Sequence, residues 1–516
     1  MSTTTIERPR ASASAGYYEF ERPEVIALIP PGARRVLEFG CAAGACGARI
    51  RRERGAYVVG VELLPEPAEL ARTRLDEVIV GDCERMDFAE HFTPGEFDAI
   101  LFADVLEHLR DPEAVIERVK PYLAPGGVIV ASIPNARNAS VVTMLARGDW
   151  TYQEAGLMDR THIHFFTRRE IQRAFGRAGY RIDAMRYVHD PNVHHWVAAG
   201  RPAALNFGSI AIQTPTPEDA EELFVYQFLV RAQVAPSDPF AHAARPLVSI
   251  VIPVRNQLAL TRACVESLRA NTPDPVEIIV VDNGSEDDTP AWAAAQPDVR
   301  HLRNDENRGF AAACNQGLAA ARGDYVVLLN NDTLTPVGWL DALIAPMVRD
   351  PGIGLTGPRS NWVFSVQMCN EAQYGSDVAQ MHRFAADWRL RHHATGFQVG
   401  KLIGFCLAIR RQVIDAIGGL DEAFGAGNYE DDDYCIRAML AGFKCWVAND
   451  CFVHHWGSQT FKSEKVDYAG LMDRNWRIFA AKWRIPGEEP GKGYDLGSLL
   501  ERDVPLEELR IPLARS

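Results

Sequence analysis

Three things are absent from this sequence, and each absence excludes a class of protein. Ten cysteines occur in 516 residues without one C-x-x-C pair, so a disulfide framework is not predicted. The longest apolar runs, such as LVSIVIPV at 247–254, are far shorter than the roughly 18 residues of a membrane-spanning helix. Acidic residues outnumber basic ones by 68 to 54, and the net charge of −14 argues against broad nucleic-acid binding.

What remains is the composition of a soluble globular protein, with 47% apolar and 24% charged residues. At roughly 150 residues per domain, the length predicts two or three domains. Residues 1–16 lack the apolar segment of a signal peptide and are predicted to be a flexible N-terminus. Reduced thiols and the missing leader predict a cytoplasmic protein, and peripheral association with the inner face of a membrane stays open.

Two segments of the chain alternate apolar runs with helical stretches, which is typical of α/β folds with parallel sheets. In the first segment the runs lie at 36–40, 57–62, 97–104 and 127–134, with a closing strand within 222–234. In the second they lie at 247–254, 276–285 and 324–332. We therefore predict two α/β domains, 17–234 and 247–485, joined by a Pro- and Ala-rich linker at 235–246. A charged tail at 486–516 follows, with one short amphipathic helix predicted in 498–513.

The first strand of the first domain ends in a glycine-containing loop, EFGCAAG, at 38–44. Glycines let the backbone approach a ligand closely, and the helix that follows offers free N–H groups. Glu62 ends the second strand, where Rossmann-like folds bind a ribose. Asp82, in GDCE at 81–84, follows the third strand and can accept a hydrogen bond from an adenine amino group. The glycine loop alone would fit any Rossmann-like nucleotide site.

Together these motifs resemble the class I S-adenosylmethionine-dependent methyltransferases over about residues 17–234. The family's glycine loop is often E-x-G-C-G-x-G, and Ala42 replaces one of those glycines. The resemblance implies S-adenosylmethionine as the cofactor, with two glycines beside its methionine part, Glu62 at the ribose and Asp82 at the adenine. The implied cofactor-binding residues are Glu38, Gly40, Gly44, Glu62, Asp82 and Cys83. A dinucleotide dehydrogenase is the nearest alternative, and Asp82 together with DVLEH at 104–108 disfavours it.

Two histidines of the first domain are candidates for catalysis. His108 lies at the end of DVLEH, at the carboxyl edge of the predicted sheet. His162 lies in LMDRTHIHFFT at 157–167, a stretch that resembles the acceptor region of sugar- and quinone-methylating members. We predict His108 as an acid/base group or a wall of the cofactor site, and His162 as the general base for an acceptor hydroxyl. The alternatives are a structural role for His108 and a helix-capping role for Glu38.

The second domain carries four motifs at or near strand ends: VSIVIPVRNQ at 248–257, VDNGSEDDT at 281–289, NRGFAAACNQG at 307–317 and LLNNDT at 328–333. Asp282 can hold a base or ribose edge, and Asp332 stands where a metal–diphosphate could lie. Four consecutive acids at 430–433 open a later amphipathic helix, and four exceed what helix capping needs. Paired histidines follow in CFVHHWGSQTF at 451–461.

The order of these motifs resembles the GT-A glycosyltransferases of family 2, particularly the rhamnosyltransferase-like members, over about residues 247–484. The resemblance implies a GT-A fold, a nucleotide-diphosphate sugar donor linked to dTDP or UDP, and a glycan or lipid-linked glycan acceptor. The implied nucleotide-sugar site consists of Pro253, Asn256, Asp282, Asn283, Arg308, Gly309 and Asn331.

The resemblance also implies a metal ion. The family's D-x-D motif appears here as NND at 330–332, which leaves Asp332 as the main carboxylate ligand. His454, or its neighbour His455, would add a ligand from the C-terminal side. Oxygen ligands and a diphosphate suit Mg²⁺ or Mn²⁺, and a histidine ligand favours Mn²⁺.

Glu430 and Asp431 resemble the family's E-D motif, in which the aspartate takes the proton of the acceptor hydroxyl during an inverting displacement. Crowding by the neighbouring acids would raise the pKa of one member and help it act as a base. Both residues are therefore candidate catalytic groups, and helix capping is the alternative role.

Three functions are compatible with these patterns. The leading one is a bifunctional enzyme that transfers a sugar and O-methylates a sugar hydroxyl. The second keeps only the glycosyltransferase active, with the first domain as a docking module, which intact Gly40, Gly44, Glu62 and Asp82 disfavour. The third, a non-catalytic glycan-binding protein, would not need Asp332 and Asp431 together. The oligomeric state stays open.

Overall fold

The computed structural model describes residues 20–208, 210–240, 245–273, 275–457, 467–485 and 493–513. They belong to two compact units, Met1–Ala235 and Pro236–Ser516. The predicted flexible N-terminus, 1–16, lies outside the described residues, as do parts of the predicted linker and tail. Among the described residues, no helix combines the length and the apolarity needed to cross a membrane.

The first unit is built on a seven-stranded sheet of order β3-β2-β1-β4-β5-β9-β6. Its strands, with the separate hairpin β7–β8, are β1 (Arg35–Phe39), β2 (Tyr57–Glu62), β3 (Glu77–Val80), β4 (Phe97–Ala103), β5 (Leu123–Pro134), β6 (Tyr180–His189), β7 (Ala204–Phe207), β8 (Ile210–Gln213) and β9 (Val225–Val234). Strands β1 to β5 are parallel, while β9 pairs antiparallel with both β5 and β6. All four parallel strands predicted from sequence are present, which confirms the α/β class.

Helices cover both faces of this sheet. They span Pro23–Ile26, Ala45–Arg54, Pro65–Ala71, Pro112–Val119, Ala139–Ala146, Arg168–Arg177, Val193–Ala198 and Pro217–Glu221. Short 3-10 turns span Phe88–Glu90, Leu106–His108, Lys120–Tyr122 and Glu222–Phe224. The apolar faces of the strands form two cores, one rich in phenylalanine and one aliphatic. Because strands β1 to β4 run parallel, their carboxyl ends meet at one edge, where the predicted cofactor motifs lie.

The second unit is built on an eight-stranded sheet of order β12-β11-β10-β13-β17-β15-β18-β16. Its strands are β10 (Val248–Val254), β11 (Val276–Asn283), β12 (Val299–Asn304), β13 (Tyr325–Leu329), β15 (Ile353–Arg359), β16 (Gly396–Val399), β17 (Cys406–Arg410) and β18 (Lys444–Phe452). Strands β10 to β13 are parallel, and β17 pairs antiparallel with β13. A separate two-stranded ladder joins β14 (Thr333–Leu334) to β19 (His454–His455).

The helices of the second unit span Leu258–Asn271, Thr289–Ala294, Phe310–Ala320, Trp339–Arg349, Val378–Arg391, Arg411–Ile417, Glu430–Leu440, Tyr468–Lys482, Leu496–Leu500 and Leu506–Leu509, with a 3-10 turn at Glu422–Phe424. The single helix predicted in 498–513 is wrong, because two short helices lie in that region instead. Pro505 separates them, since proline lacks the N–H that a continuous helix would need there.

Candidate active sites

The glycine loop of the first unit has the backbone that close ligand approach requires. Gly40 has a φ of +64°, and a Cβ at this position would lie 2.7 Å from Cγ2 of Val105. Ala42 adopts a φ of +48°, a left-handed conformation that glycine adopts without strain. Glu62 holds this loop, because its carboxylate accepts hydrogen bonds from the N–H of Ala42 at 2.8 Å and of Leu64 at 2.9 Å.

The remaining predicted cofactor residues divide into two groups. Asp82 stands at the same sheet edge and accepts a hydrogen bond from the N–H of Glu84 at 3.0 Å. Cys83 beside it is half-buried, and burial raises the pKa of its thiol to about 12. Glu38 instead lies behind the loop, fully enclosed, where burial raises its pKa to about 7 and the Cys46 thiol is a hydrogen-bonding neighbour. The open loop and the acids at two successive strand ends fit an adenosyl cofactor.

Asp104 marks the end of β4, with a φ of +56° that is unusual for a residue other than glycine. Its carboxylate accepts hydrogen bonds from Arg22, Gln227 and the Ser132 hydroxyl. Sequence reasoning missed Arg22, because nothing in the stretch before the first strand indicates that it reaches the sheet edge.

The two predicted histidines lie together, and a buried glutamate lies beside them. The His108 and His162 rings pack edge to face, with centroids 4.8 Å apart. His162 Nε2 lies 3.9 Å from Oε1 of Glu107, which is 1% exposed. Burial raises the pKa of Glu107 to about 8, and burial together with His108 lowers the pKa of His162. The two histidines, which sequence analysis named as candidates from two separate motifs, are therefore neighbours in space.

In the second unit, the ladder between β14 and β19 brings Asp332 to the paired histidines. His455 pairs with Thr333, and His455 Nε2 lies 3.2 Å from Oδ1 of Asp332. The other ring nitrogen, Nδ1, is 2.9 Å from the carbonyl oxygen of Trp362, so Nε2 is left with its lone pair toward the aspartate. This donor set, a carboxylate and an imidazole nitrogen, fits a divalent metal ion.

His454 does not share this position, so of the two predicted candidate ligands the geometry favours His455. Successive residues of a strand point to opposite faces. The His454 Nδ1 lies 2.8 Å from the Tyr374 hydroxyl, and burial lowers the pKa of its ring to about 4. His454 therefore supports the ladder from behind, and His455 faces Asp332.

The four acids that open the helix Glu430–Leu440 have separate partners. Asp433 bonds to Arg437 at 2.7 Å and to Trp483 Nε1 at 3.0 Å. Asp432 bonds to Lys401 at 2.5 Å and accepts from the Tyr494 hydroxyl at 2.8 Å. Tyr429 occupies the N-cap position of this helix, with a φ of 72°, so none of the four acids caps the helix from that position.

Glu430 and Asp431 are the two acids left over by these pairings. Asp431 accepts hydrogen bonds from the N–H of Gly404 at 3.1 Å and of Asp432 at 2.9 Å. Burial and the charge of Asp432 raise the pKa of Asp431 to about 6, against the lowering effect of Lys401. Burial, together with the charge of Asp431, raises the pKa of Glu430 well above its usual value.

Asp332, His455 and Asp431 line one cavity of about 550 Å³. Its lining also includes Pro253, Asn283, Asn331, Lys401, Trp362, Phe364 and Glu430. The volume is that of a typical small-molecule site. Trp362 and Phe364 form an aromatic rim, with ring centroids 5.2 Å apart and Phe364 76% exposed. Sequence reasoning missed Lys401 and this rim, because neither belongs to a motif.

A second cavity of about 890 Å³ shares Arg255 and Asn307 with the first. Asp282 lies beneath it, fully buried, with Oδ2 3.9 Å from both His301 and Arg303, which line the cavity. That oxygen has no hydrogen-bond partner among the described residues. Because this buried acceptor oxygen lies beneath an open cavity, it is placed to accept a hydrogen bond from a ligand in that cavity.

The other predicted nucleotide-site residues support these walls. Asn283 donates to the carbonyl oxygen of Gly309 at 3.1 Å and accepts from the N–H of Arg308 at 3.0 Å. Asn256 accepts from the N–H of Glu286 at 2.8 Å and so ties two loops together. These contacts make Asn256, Arg308 and Gly309 positioning residues. Asn331, which lines the smaller cavity, is held by Thr261 at 3.0 Å.

Comparison with known proteins gives a family match in each of the two units. Residues 16–184 match the family described as "Methyltransferase domain", and residues 249–418 match "Glycosyl transferase family 2". The chain therefore combines a methyltransferase domain with a family 2 glycosyltransferase domain in one polypeptide.

Three relatives illustrate the two matches. A pre-mycofactocin glycosyltransferase of Mycobacterium tuberculosis is 33% identical over 42% of this chain and 44% of its own length. An N-acetylglucosaminyl-diphospho-decaprenol L-rhamnosyltransferase of the same organism is 28% identical over 43% of this chain and 83% of its own length. The ubiquinone biosynthesis O-methyltransferase of Aeromonas salmonicida is 26% identical over 34% of this chain and 74% of its own length. The chain spans less than half the length of the first of these relatives.

Proposed function

We propose that the chain is a bifunctional enzyme of glycan biosynthesis, which transfers a sugar from a nucleotide-diphosphate donor to a glycan acceptor and O-methylates a sugar hydroxyl. The observation that carries the glycosyl-transfer half is the shared cavity, in which the Asp332–His455 pair and the carboxylate of Asp431 face one space. A metal–diphosphate and an acceptor hydroxyl need these two kinds of group in one site.

In the proposed glycosyl transfer, Asp332 and His455 hold a divalent ion, Mg²⁺ or Mn²⁺. When bound, the ion neutralises the charge of the diphosphate leaving group. Asp282 binds the base or ribose in the adjoining cavity, and Asp431 accepts the proton of the acceptor hydroxyl. A base with a pKa near 6 is ionised at neutral pH and is still able to take a proton, which suits this role.

Lys401 has a proposed part in keeping that base ionised. Its ammonium group contacts Asp432 at 2.5 Å, and its charge lowers the pKa of Asp431. The Trp362–Phe364 rim would stack on a sugar ring at the mouth of the cavity, because aromatic faces suit the apolar face of a pyranose.

In the proposed methylation, Glu62 binds the ribose hydroxyls, Asp82 the adenine, and the open loop at Gly40 and Gly44 the methionine part of S-adenosylmethionine. When bound, this cofactor supplies an electrophilic methyl group. His162 takes the proton of the acceptor hydroxyl, and its lowered pKa keeps the ring neutral and able to do so. His108 forms the adjoining wall of the pocket.

The names of the relatives support the substrate classes. A lipid-linked glycan acceptor is proposed by analogy with the mycobacterial rhamnosyltransferase, whose name gives a decaprenol-linked acceptor. The dTDP- or UDP-linked donor is proposed from the motifs' resemblance to family 2 glycosyltransferases. O-methylation is proposed by analogy with the ubiquinone-pathway enzyme. A lipid-linked acceptor would place the protein in the cytoplasm, at the inner face of a membrane.

The test is a donor screen with the full-length protein. Release of nucleoside diphosphate is measured for dTDP- and UDP-linked sugars with Mn²⁺, Mg²⁺ or chelator, and binding of labelled S-adenosylmethionine is measured alongside. Metal-dependent release that is lost in Asp332→Asn would support the glycosyltransferase half. Absence of S-adenosylmethionine binding would leave a glycosyltransferase with a docking module.

A further inference from the structure

We propose that Glu107, His108 and His162 form a second divalent-metal site, in the methyltransferase unit, for an ion of the zinc class that binds the acceptor hydroxyl. One ligand atom from each of the three residues lies within 4.8 Å of the others. They come from two separate stretches of chain, the 3-10 turn Leu106–His108 and the loop that carries His162.

The carboxylate of Glu107 is the strongest argument for an ion. Glu107 is 1% exposed, and neither of its carboxylate oxygens has a hydrogen-bond partner among the described residues. Burying a carboxylate without a partner is costly, and such groups are normally paired or bound to metals. The Nε2 of His162 stands 3.9 Å away, beyond hydrogen-bond distance, and the charge of Arg22 acts on Glu107 by lowering its pKa.

Both imidazoles are oriented as metal ligands usually are. The Nδ1 of His108 lies 3.2 Å from the carbonyl oxygen of Thr161, and the Nδ1 of His162 lies 3.3 Å from that of Leu157. A ring that donates through Nδ1 keeps its lone pair on Nε2, the nitrogen that His162 turns toward Glu107. Backbone carbonyls are the usual outer partners that fix ligating histidines in this way.

The two stretches are tied together, so the three side chains are held in place. The carbonyl oxygen of Glu107 accepts hydrogen bonds from the N–H of Ile163 at 3.0 Å and of His164 at 3.1 Å. Asp159, 5% exposed, accepts from the Thr161 hydroxyl at 2.6 Å and so fixes the loop before His162.

One carboxylate and two imidazoles favour Zn²⁺, Fe²⁺ or Co²⁺ over Mg²⁺ and Ca²⁺. With metal–ligand bonds of about 2.0–2.1 Å, tetrahedral ligand atoms stand about 3.3 Å apart. The 3.9 Å between His162 Nε2 and Glu107 Oε1 therefore needs a closure of about 0.6 Å, and the widest separation in the cluster, up to 4.8 Å, needs a closure of up to about 1.5 Å. Three protein ligands leave one position open, which is the arrangement of catalytic rather than structural zinc sites.

This inference rests on the proposed methylation and changes one part of it, because His162 becomes a metal ligand where the proposal above makes it the proton acceptor. An ion lowers the pKa of an oxygen bound to it, so the acceptor hydroxyl would lose its proton to water near neutral pH. The oxygen would then form a bond to the methyl carbon while the carbon–sulfur bond breaks and its electron pair stays on sulfur, giving the methyl ether and S-adenosylhomocysteine. His162 would promote the proton loss as a ligand, in place of accepting the proton itself.

The experiment counts ions on the full-length protein. Protein freed of metal with a chelator is titrated with Zn²⁺ or Co²⁺ alone, by calorimetry and by the visible absorption of bound Co²⁺. Asp332→Asn removes the glycosyltransferase ion, and the remaining ion is assigned by adding Glu107→Gln, His162→Ala or His108→Ala. The matched control is His189→Ala, because His189 pairs with Glu221 at 3.0 Å in the same unit, outside the cluster.

The expected result is one ion on Asp332→Asn, with its affinity lowered by more than about 100-fold when any of the three ligands is changed. The His189→Ala control should keep the ion. The inference is overturned if Asp332→Asn binds no ion, or if the ion stays with unchanged affinity after Glu107→Gln and His108→Ala. Thermal melts show whether each variant is folded. Because His108 is only half-buried, His108→Ala is the variant expected to disturb folding least. Binding of S-adenosylmethionine is also measured in the presence of chelator, and this measurement tests the proposed methyltransferase function separately from the metal site.

Discussion

Replacing Asp431 by asparagine separates the proposed catalytic role of this residue from its structural role. Both carboxylate oxygens accept a backbone N–H, from Gly404 and from Asp432. An asparagine side chain has one acceptor oxygen, so its NH₂ group must face one of those donors. The lost bond is charge-assisted and costs about 1.5–3 kcal/mol. Removing a buried charge beside Asp432 offsets part of that loss, so we expect the protein to stay folded, since domains are stable by about 5–15 kcal/mol.

The expected effect on turnover is larger than the effect on stability. Loss of a general base lowers turnover by roughly 10²–10⁴-fold. At about 1.4 kcal/mol per factor of ten, this corresponds to about 2.8–5.6 kcal/mol of activation free energy. The assay is nucleoside-diphosphate release at saturating donor and metal, with donor affinity measured by calorimetry. Donor affinity should change little, because the donor is held through Asp332 and Asp282.

The pH profile gives an independent check on the same residue. A base must be ionised to act, and the pKa of Asp431 is about 6, so turnover should fall as the pH drops through 6. The charge of Lys401 lowers this pKa, and the charge of Asp432 raises it. Lys401→Met should therefore move the acid limb to higher pH, and Asp432→Asn should move it to lower pH. The assignment of Asp431 as the base would be refuted if Asp431→Asn kept turnover within tenfold of wild type. It would also be refuted if the acid limb of the pH profile did not move in Lys401→Met and Asp432→Asn.

Three further outcomes follow from the geometry. His455→Ala should weaken Mn²⁺ binding in calorimetry, whereas His454→Ala should leave it nearly unchanged; equal losses would contradict the assignment of the two faces of β19. Glu62→Ala should weaken S-adenosylmethionine binding by about 1–3 kcal/mol, because charge-assisted hydrogen bonds to the ribose and the glycine loop are lost; unchanged affinity would sink the cofactor site. Arg437→Met should lower the free energy of unfolding in urea by about 3–5 kcal/mol, the usual cost of breaking a buried ion pair. A loss no larger than that of a typical surface substitution would show that Arg437 does not stabilise the fold.

The sequence placed the first half of each candidate site at strand ends, and the structure agrees with that placement, because these residues follow parallel strands. Glu62, Asp82, Asp282 and Asp332 each stand at or just beyond the end of a predicted strand, and the structure brings the ends together. A parallel sheet places the ends of its strands at one edge whatever the loops do. Motif position and spatial position therefore agree for these residues.

The second half of each site depends on pairings that no local pattern encodes. The choice between His454 and His455 is decided by the register of β14 with β19, and a shift of one residue would exchange their faces. Lys401 comes from a loop 31 residues before Asp432, the acid that it contacts, and a lone lysine in a loop carries no pattern. Glu107 looked like one more polar residue of DVLEH, because its burial becomes visible only once His162 and its loop have been placed.

The buried Arg437 has a consequence for the order in which the protein matures. Its guanidinium group donates to the carbonyl oxygens of Ile417, Gly419 and Leu509 while it pairs with Asp433, one turn earlier in the helix that carries Asp431. Tyr494 adds a second tie, to Asp432. Synthesis runs toward the carboxyl terminus, so the helix that carries the proposed base, Asp431, obtains these supports only after residue 509 has left the ribosome. The seven-stranded sheet of the first unit is complete once β9 has been made, so we expect this sheet to form while the second unit is still being translated.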